Sequence, residues 1–152
     1  MGQARPIEGE LASPTMSTPT TYGPGRVLVA VYGIFALAAS ARAGVQLATR
    51  YAEAPVAYLL SALAAAVYVV ATVTLARGTR PSRRVAAAAI VLELVGVLTV
   101  GTLSVVDPAA FPRATVWSAY GVGYGFVPLL LPVLGLLWLR RTAPSQAGSD
   151  RA

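Results

Sequence analysis

Four apolar runs, each at least 22 residues long, constrain this chain more than any other feature: Val27–Ala48, Pro55–Ala76, Val85–Val106 and Val116–Leu139. A helix of that length extends about 33 Å, and the hydrocarbon core of a bilayer is about 30 Å thick, so each run predicts a membrane-spanning helix. Lipid offers no water to the backbone, which leaves helices as the way for isolated apolar segments to cross. Short connections make consecutive helices antiparallel neighbours. The expected fold class is an all-α membrane protein, a four-transmembrane-helix bundle. A hydrophobic content of 56% and a mean hydropathy of +0.65 exclude an ordinary soluble domain of this size.

Orientation follows from arginine. All 12 basic residues are Arg. Arg77, Arg80, Arg83 and Arg84 lie between the second and third runs, Arg140 and Arg141 follow the fourth, and Arg26 precedes the first. The other two connections, "TRYAEA" and "DPAAFPRAT", carry only Arg50 and Arg113. Positive-inside bias predicts an N-in/C-in topology with both termini cytoplasmic. The net charge of +6 is thereby explained by topology, with no nucleic-acid-binding face. The abundance of Ala, Gly, Val, Pro and Arg, all with GC-rich codons, points to a bacterial cytoplasmic (inner) membrane. Trp117 and Trp138, about 31 Å apart on a continuous helix, are expected at the two interfaces.

The membrane domain is expected over residues 26–141. Residues 1–25, rich in Pro, Ser, Thr and Gly, read as a disordered cytoplasmic tail, and residues 142–152 as a second one. Met16 competes with Met1 as the start of translation. Ala41-Arg42-Ala43 forms a signal-peptidase-like pattern after the first run, but apolar character resumes with "GVQLA", which favours a retained helix.

Cys and His are both absent. That removes disulfides, thiol chemistry, imidazole bases and the usual zinc and haem ligands. No catalytic constellation is legible, and no enzyme activity, cofactor or metal is expected. Two ionisable residues fall inside the spans, Arg42 and Glu93. Each is costly facing lipid and is expected to face the bundle or a wet cavity. Arg42 either snorkels to the outer headgroups or reaches toward Glu93, from which it is offset by about 10 Å along the membrane normal. The Glu93 face also carries Ala86, Ala89, Gly96 and Ser104, small residues suited to helix contact.

"VGYG" at residues 122 to 125 ends like a potassium-channel filter. Gly121 replaces the expected threonine, and the 14 residues from Phe126 to Leu139 give about 21 Å of helix, too little to recross a membrane from an outer filter. Read instead as one helix over Val116–Leu139, the segment places Trp117, Tyr120, Gly121, Tyr124, Pro128, Pro132 and Gly135 on one face. Gly121 and Gly125 have GxxxG spacing for close packing. Pro128 and Pro132 predict kinks that free two carbonyls. Tyr124 comes to the level of Arg42. The candidate intramembrane polar cluster is therefore Arg42, Glu93, Tyr120 and Tyr124, and the packing and kink residues are Gly121, Gly125, Pro128 and Pro132.

The stretch from "RVLVAVYGIFALAASARAGVQLATRY" through "FPRATVWSAYGVGYGFVPLLLPVLGLLWLRR" resembles small actinobacterial four-helix integral membrane proteins of unassigned function. The resemblance implies a membrane fold and transfers no activity. Two functional readings follow from the residues. One is a structural, accessory or interaction protein of the cytoplasmic membrane, partnered by the lipid bilayer and by another membrane protein or a second copy of itself. The other is a small proton-coupled transporter using Glu93 with Arg42 and Tyr124.

Overall fold

The computed structural model describes residues 23–142, and every regular element among them is helical. The expected tails and the choice between Met1 and Met16 fall largely or wholly outside the described residues. Three helices are long and apolar enough to cross a membrane: α1 (Pro24–Thr49), α2 (Pro55–Arg77) and α3 (Arg80–Val106). Each contains the corresponding apolar run of the sequence.

Proline opens all of them. Pro24, Pro55 and Pro81 occupy the first turn, where a missing N–H costs nothing. Between α2 and α3, Gly78 takes the left-handed conformation (φ 64°) and closes α2. Thr79 then caps α3 by accepting a hydrogen bond from the Ser82 amide.

Packing follows chain order. α1 lies along α2, α2 along α3 and α3 along the last helix, α4 (Val127–Arg141), whereas α1 and α4 touch over a short length. The buried faces are built from small residues and tyrosines: Tyr32, Ala36, Ala39 and Ala43 of α1 against Ala64, Ala65, Tyr68 and Ala71 of α2. Large aliphatic side chains such as Ile34, Leu37 and Val95 point outward. Small residues let backbones approach closely where solvent supplies no hydrophobic drive.

The fourth apolar run departs from expectation. In place of one helix over Val116–Leu139 stand a 3-10 segment, Ser118–Tyr124, and α4, Val127–Arg141, meeting at 99°. The causes are local and tertiary. Thr115 Oγ1 accepts from the amides of Trp117 and Ser118, while Ser118 Oγ accepts from the Thr115 amide, which locks a turn before any helix can start. Ala119, Tyr120 and Gly121 then run consecutively left-handed (φ 46°, 59° and 79°). Ser104 of α3 holds the Ala119 amide at 2.8 Å. Gly125 and Phe126 are left-handed again, and α4 starts after them.

The expected proline kinks are corrected accordingly. Pro128 lies in the first turn of α4, where Pro24, Pro55 and Pro81 lie in their helices; only Pro132 is inside a helix. The bend is at Gly125 and Phe126. Trp117 is corrected too: turned inward by the break, it is 2% exposed, and its indole covers Gly96, where a Cβ would fall 2.6 Å from the ring. The far end of α4 returns to the α2–α3 turn, since Arg83 donates to the Leu139 carbonyl at 2.8 Å and its guanidinium lies 5.5 Å from the Trp138 ring centre.

Candidate functional site

The polar residues singled out from the sequence separate into three places. Glu93 is fully buried on α3, and its Oε2 accepts a 2.8 Å hydrogen bond from the Tyr32 hydroxyl of α1. Its Oε1 has no protein partner, nor do the buried Tyr68 hydroxyl and Trp117 Nε1. Ala86 and Ala89, on the same face of α3, are buried as that face predicted. Glu93 therefore clasps α1 to α3 through a tyrosine.

Arg42 goes elsewhere. Its Nη1 donates to the Tyr124 hydroxyl at 2.6 Å and its Nη2 to the Ala114 carbonyl at 3.0 Å. Arg42 and Tyr124 thus meet, as their estimated depths implied. Arg42 and Glu93 do not pair: among the described residues the ion pair is Arg113 with Glu53, 3.1 Å apart on the surface. Both acceptors of Arg42 are neutral, so its charge has no counter-anion in direct contact. Arg42 Nε and the neighbouring Gln46 Oε1 are buried without partners.

Tyr120 forms the third place, its hydroxyl 3.0 Å from Thr102 Oγ1. The break in the fourth run takes it away from the Arg42 face. Of the packing residues, Gly121, Pro128 and Pro132 are buried. A Cβ on Gly121 would lie 2.7 Å from the Pro128 ring, so this glycine supplies both a left-handed turn and a close approach. Gly125 is exposed and serves the turn. The Gly121 and Val122 carbonyls accept from the amides of Phe126 and Gly125. Both carbonyls are consumed in the turn.

An aromatic row joins the first two places. Ring centres are 6.2 Å apart from Tyr32 to Tyr68, 5.7 Å from Tyr68 to Phe35 and 6.0 Å from Phe35 to Tyr124. Phe35 precedes Arg42 by seven residues on α1 and so shares its face. Tyr32 and Tyr68 escaped sequence reasoning, yet each recurs with buried alanines at helical spacing, and that pattern marks a core-facing tyrosine.

Beside Arg42 opens a cavity of about 680 Å³, lined by Arg42, Gln46, Thr49, Arg50, Tyr58 and Arg113 among others. It lies at the end of the molecule opposite the α2–α3 turn. Among the described residues no group of three or more His, Cys, Asp or Glu side chains converges. Comparison of the chain with protein-family models, with curated proteins and with solved structures returned no match.

Proposed function

We propose that this chain is a structural, accessory or interaction protein of a bacterial cytoplasmic membrane, without enzymatic activity. It crosses four times, with both termini cytoplasmic. The first three passes are α1, α2 and α3. The fourth is the bent pair, with α4 covering about 22 Å of the thickness and the folded segment before it covering the rest. Non-helical backbone at membrane depth is tolerated where protein buries it, and α3 shields the left-handed turn. The arginine bias supports the orientation. The likeness to small actinobacterial four-helix membrane proteins belongs to the same proposal, as do its partners: the bilayer and a membrane protein or second copy.

The observation that carries this reading is the seclusion of Glu93. It is 0% exposed, bonded to Tyr32, and absent from the lining of the arginine cavity. A buried carboxyl bonded to a hydroxyl of α1, a helix that α3 does not otherwise pack along, suits a structural tie between the two. The transporter reading needs Glu93 to share a path with Arg42 and Tyr124. Phe35 stands in the aromatic row between Tyr68 and Tyr124, and a phenyl ring has no hydroxyl to relay a proton.

Glu93→Gln separates the two. In the structural reading the variant folds, keeps any oligomeric or partner association, and leaves proton flux in liposomes unchanged from wild type. Normal folding with a loss of proton-coupled uptake would overturn that reading in favour of transport.

A further inference from the structure

We propose that the cavity between the distal end of α1 and Arg113 and Ala114 of the α3–α4 connection is a binding site for a phosphate group. This goes beyond the structural reading, and its placement at the outer leaflet rests on the orientation proposed above.

Three guanidinium groups, from Arg42, Arg50 and Arg113, line the cavity. The nearest carboxylate is Glu53, which is bonded to Arg113 and accepts a 3.4 Å hydrogen bond from Tyr58. Cations outnumber anions there. The other acidic group of this end, Asp107, accepts from the Ala110 amide and is not part of the lining.

The unspent donors belong to the arginines and to Gln46, whose side-chain amide makes no hydrogen bond among the described residues. The Thr49 hydroxyl donates back to the Val45 carbonyl of its own helix, and the Tyr58 hydroxyl donates to Glu53. Each guanidinium carries five N–H donors. Arg42 uses its two Nη atoms on neutral acceptors and leaves Nε buried and unbonded, while the Arg50 side chain makes no hydrogen bond among the described residues. Forked donors around a concave volume match the oxygens of a phosphate better than a single carboxylate, because several oxygens accept at once.

Position points to the same chemistry. Arg42 lies about 10 Å along α1 from Thr49, and the cavity opens at the helix ends, the level of lipid headgroups. The Tyr124 hydroxyl and the Ala114 carbonyl hold the Arg42 guanidinium at the cavity wall. A lipid phosphodiester in the outer leaflet and a soluble phosphate share this chemistry.

The test uses the full-length protein purified in a zwitterionic detergent at low salt. Isothermal titration is run with inorganic phosphate and, separately, with mixed micelles containing phosphatidylglycerol or phosphatidylcholine. Saturable binding is expected, with phosphatidylglycerol preferred over phosphatidylcholine by roughly tenfold or more. Binding of the lipid alone assigns a headgroup; saturable binding of inorganic phosphate, competing with lipid, assigns a soluble phosphate. Arg50→Gln should weaken binding roughly tenfold, and Glu53→Gln should tighten it by removing the one nearby carboxylate. Arg84→Gln, at the opposite end, should leave it unchanged. Absence of saturable binding to either probe overturns the proposal. So does equal weakening by Arg50→Gln and Arg84→Gln, which would mean attraction to net charge alone.

Discussion

The connection between α2 and α3 needs two residues, Gly78 and Thr79, whereas that between α3 and α4 runs from Asp107 to Phe126. The short one is assembled from local rules: a left-handed glycine, a threonine cap, a proline in the first turn. The long one is held by partners far away in sequence. Ser104 bonds the Ala119 amide, Gly96 receives Trp117, and Arg42 bonds the Ala114 carbonyl. The arginines at the two ends differ in the same way. Arg83 spends its guanidinium on the Leu139 carbonyl, the Thr142 hydroxyl and the Trp138 ring, complementing the C-terminus of α4. Arg42 retains an unbonded Nε beside an open cavity. Arg83 is thus spent within the protein, while Arg42 keeps one N–H unbonded.

Two of the three left-handed glycines, Gly121 and Gly78, test this contrast most strongly. Gly121→Ala should destabilise by about 3 kcal/mol, since the new methyl meets both an unfavourable φ and the Pro128 ring. Gly78→Ala, with φ 64° but open space around it, should cost about 1 kcal/mol. Unfolding in mixed micelles titrated with dodecyl sulfate measures both. Equal losses would mean that the long connection is no more dependent on tertiary packing than the short one.

Next in size is Arg83. Arg83→Ala removes a charged hydrogen bond to a helix-terminal carbonyl together with a cation–π contact, and should cost about 2 kcal/mol. Arg83→Lys should recover little, because an ammonium cannot serve the carbonyl, the hydroxyl and the ring at once. Full rescue by lysine in the same unfolding titration would show that charge alone closes this end.

This asymmetry explains what could be read from sequence. α1, α2 and α3 were legible because their apolar runs exceed a bilayer thickness and their ends carry proline, glycine and threonine signals. The fourth run is also long enough to cross, and nothing in its periodicity separates a helix from a folded segment. The signals that did exist were hydroxyls and a proline. Thr115 and Ser118 have the spacing of mutually capping side chains, and Pro128 repeats the opening role of Pro24, Pro55 and Pro81. Read as a starter, Pro128 would have put the beginning of α4 near Val127. Arg42 and Tyr124 meet although the single helix over Val116–Leu139, from which the level of Tyr124 was estimated, does not form. The Tyr32–Glu93 clasp was out of reach, because no local pattern says which of seven tyrosines a buried carboxyl will find.

A smaller effect probes the tether between α3 and the left-handed turn. Ser104→Ala leaves the Ala119 amide without its acceptor and should cost about 1.5 kcal/mol. Thr79→Ala, which removes an ordinary helix cap at the other end, should cost about 1 kcal/mol. Hydrogen exchange distinguishes them by place as well as size. Ser104→Ala should speed exchange in the 118–126 segment, while Thr79→Ala should speed it in the first turn of α3.

The smallest prediction has the opposite sign. Ala119 holds φ 46° and ψ 46°, a region that costs a non-glycine residue about 1–2 kcal/mol. Glycine carries no such penalty but brings extra freedom to the unfolded chain, worth about 0.4–1 kcal/mol. Ala119→Gly should therefore stabilise by about 0.5 kcal/mol. Ala36→Gly, in the buried interior of α1, should destabilise by about 1 kcal/mol or more, because there the backbone is right-handed and the methyl is packed. If Ala119→Gly destabilises as Ala36→Gly does, the segment before α4 is right-handed like the rest of the chain, and the contrast between the two ends of the molecule disappears.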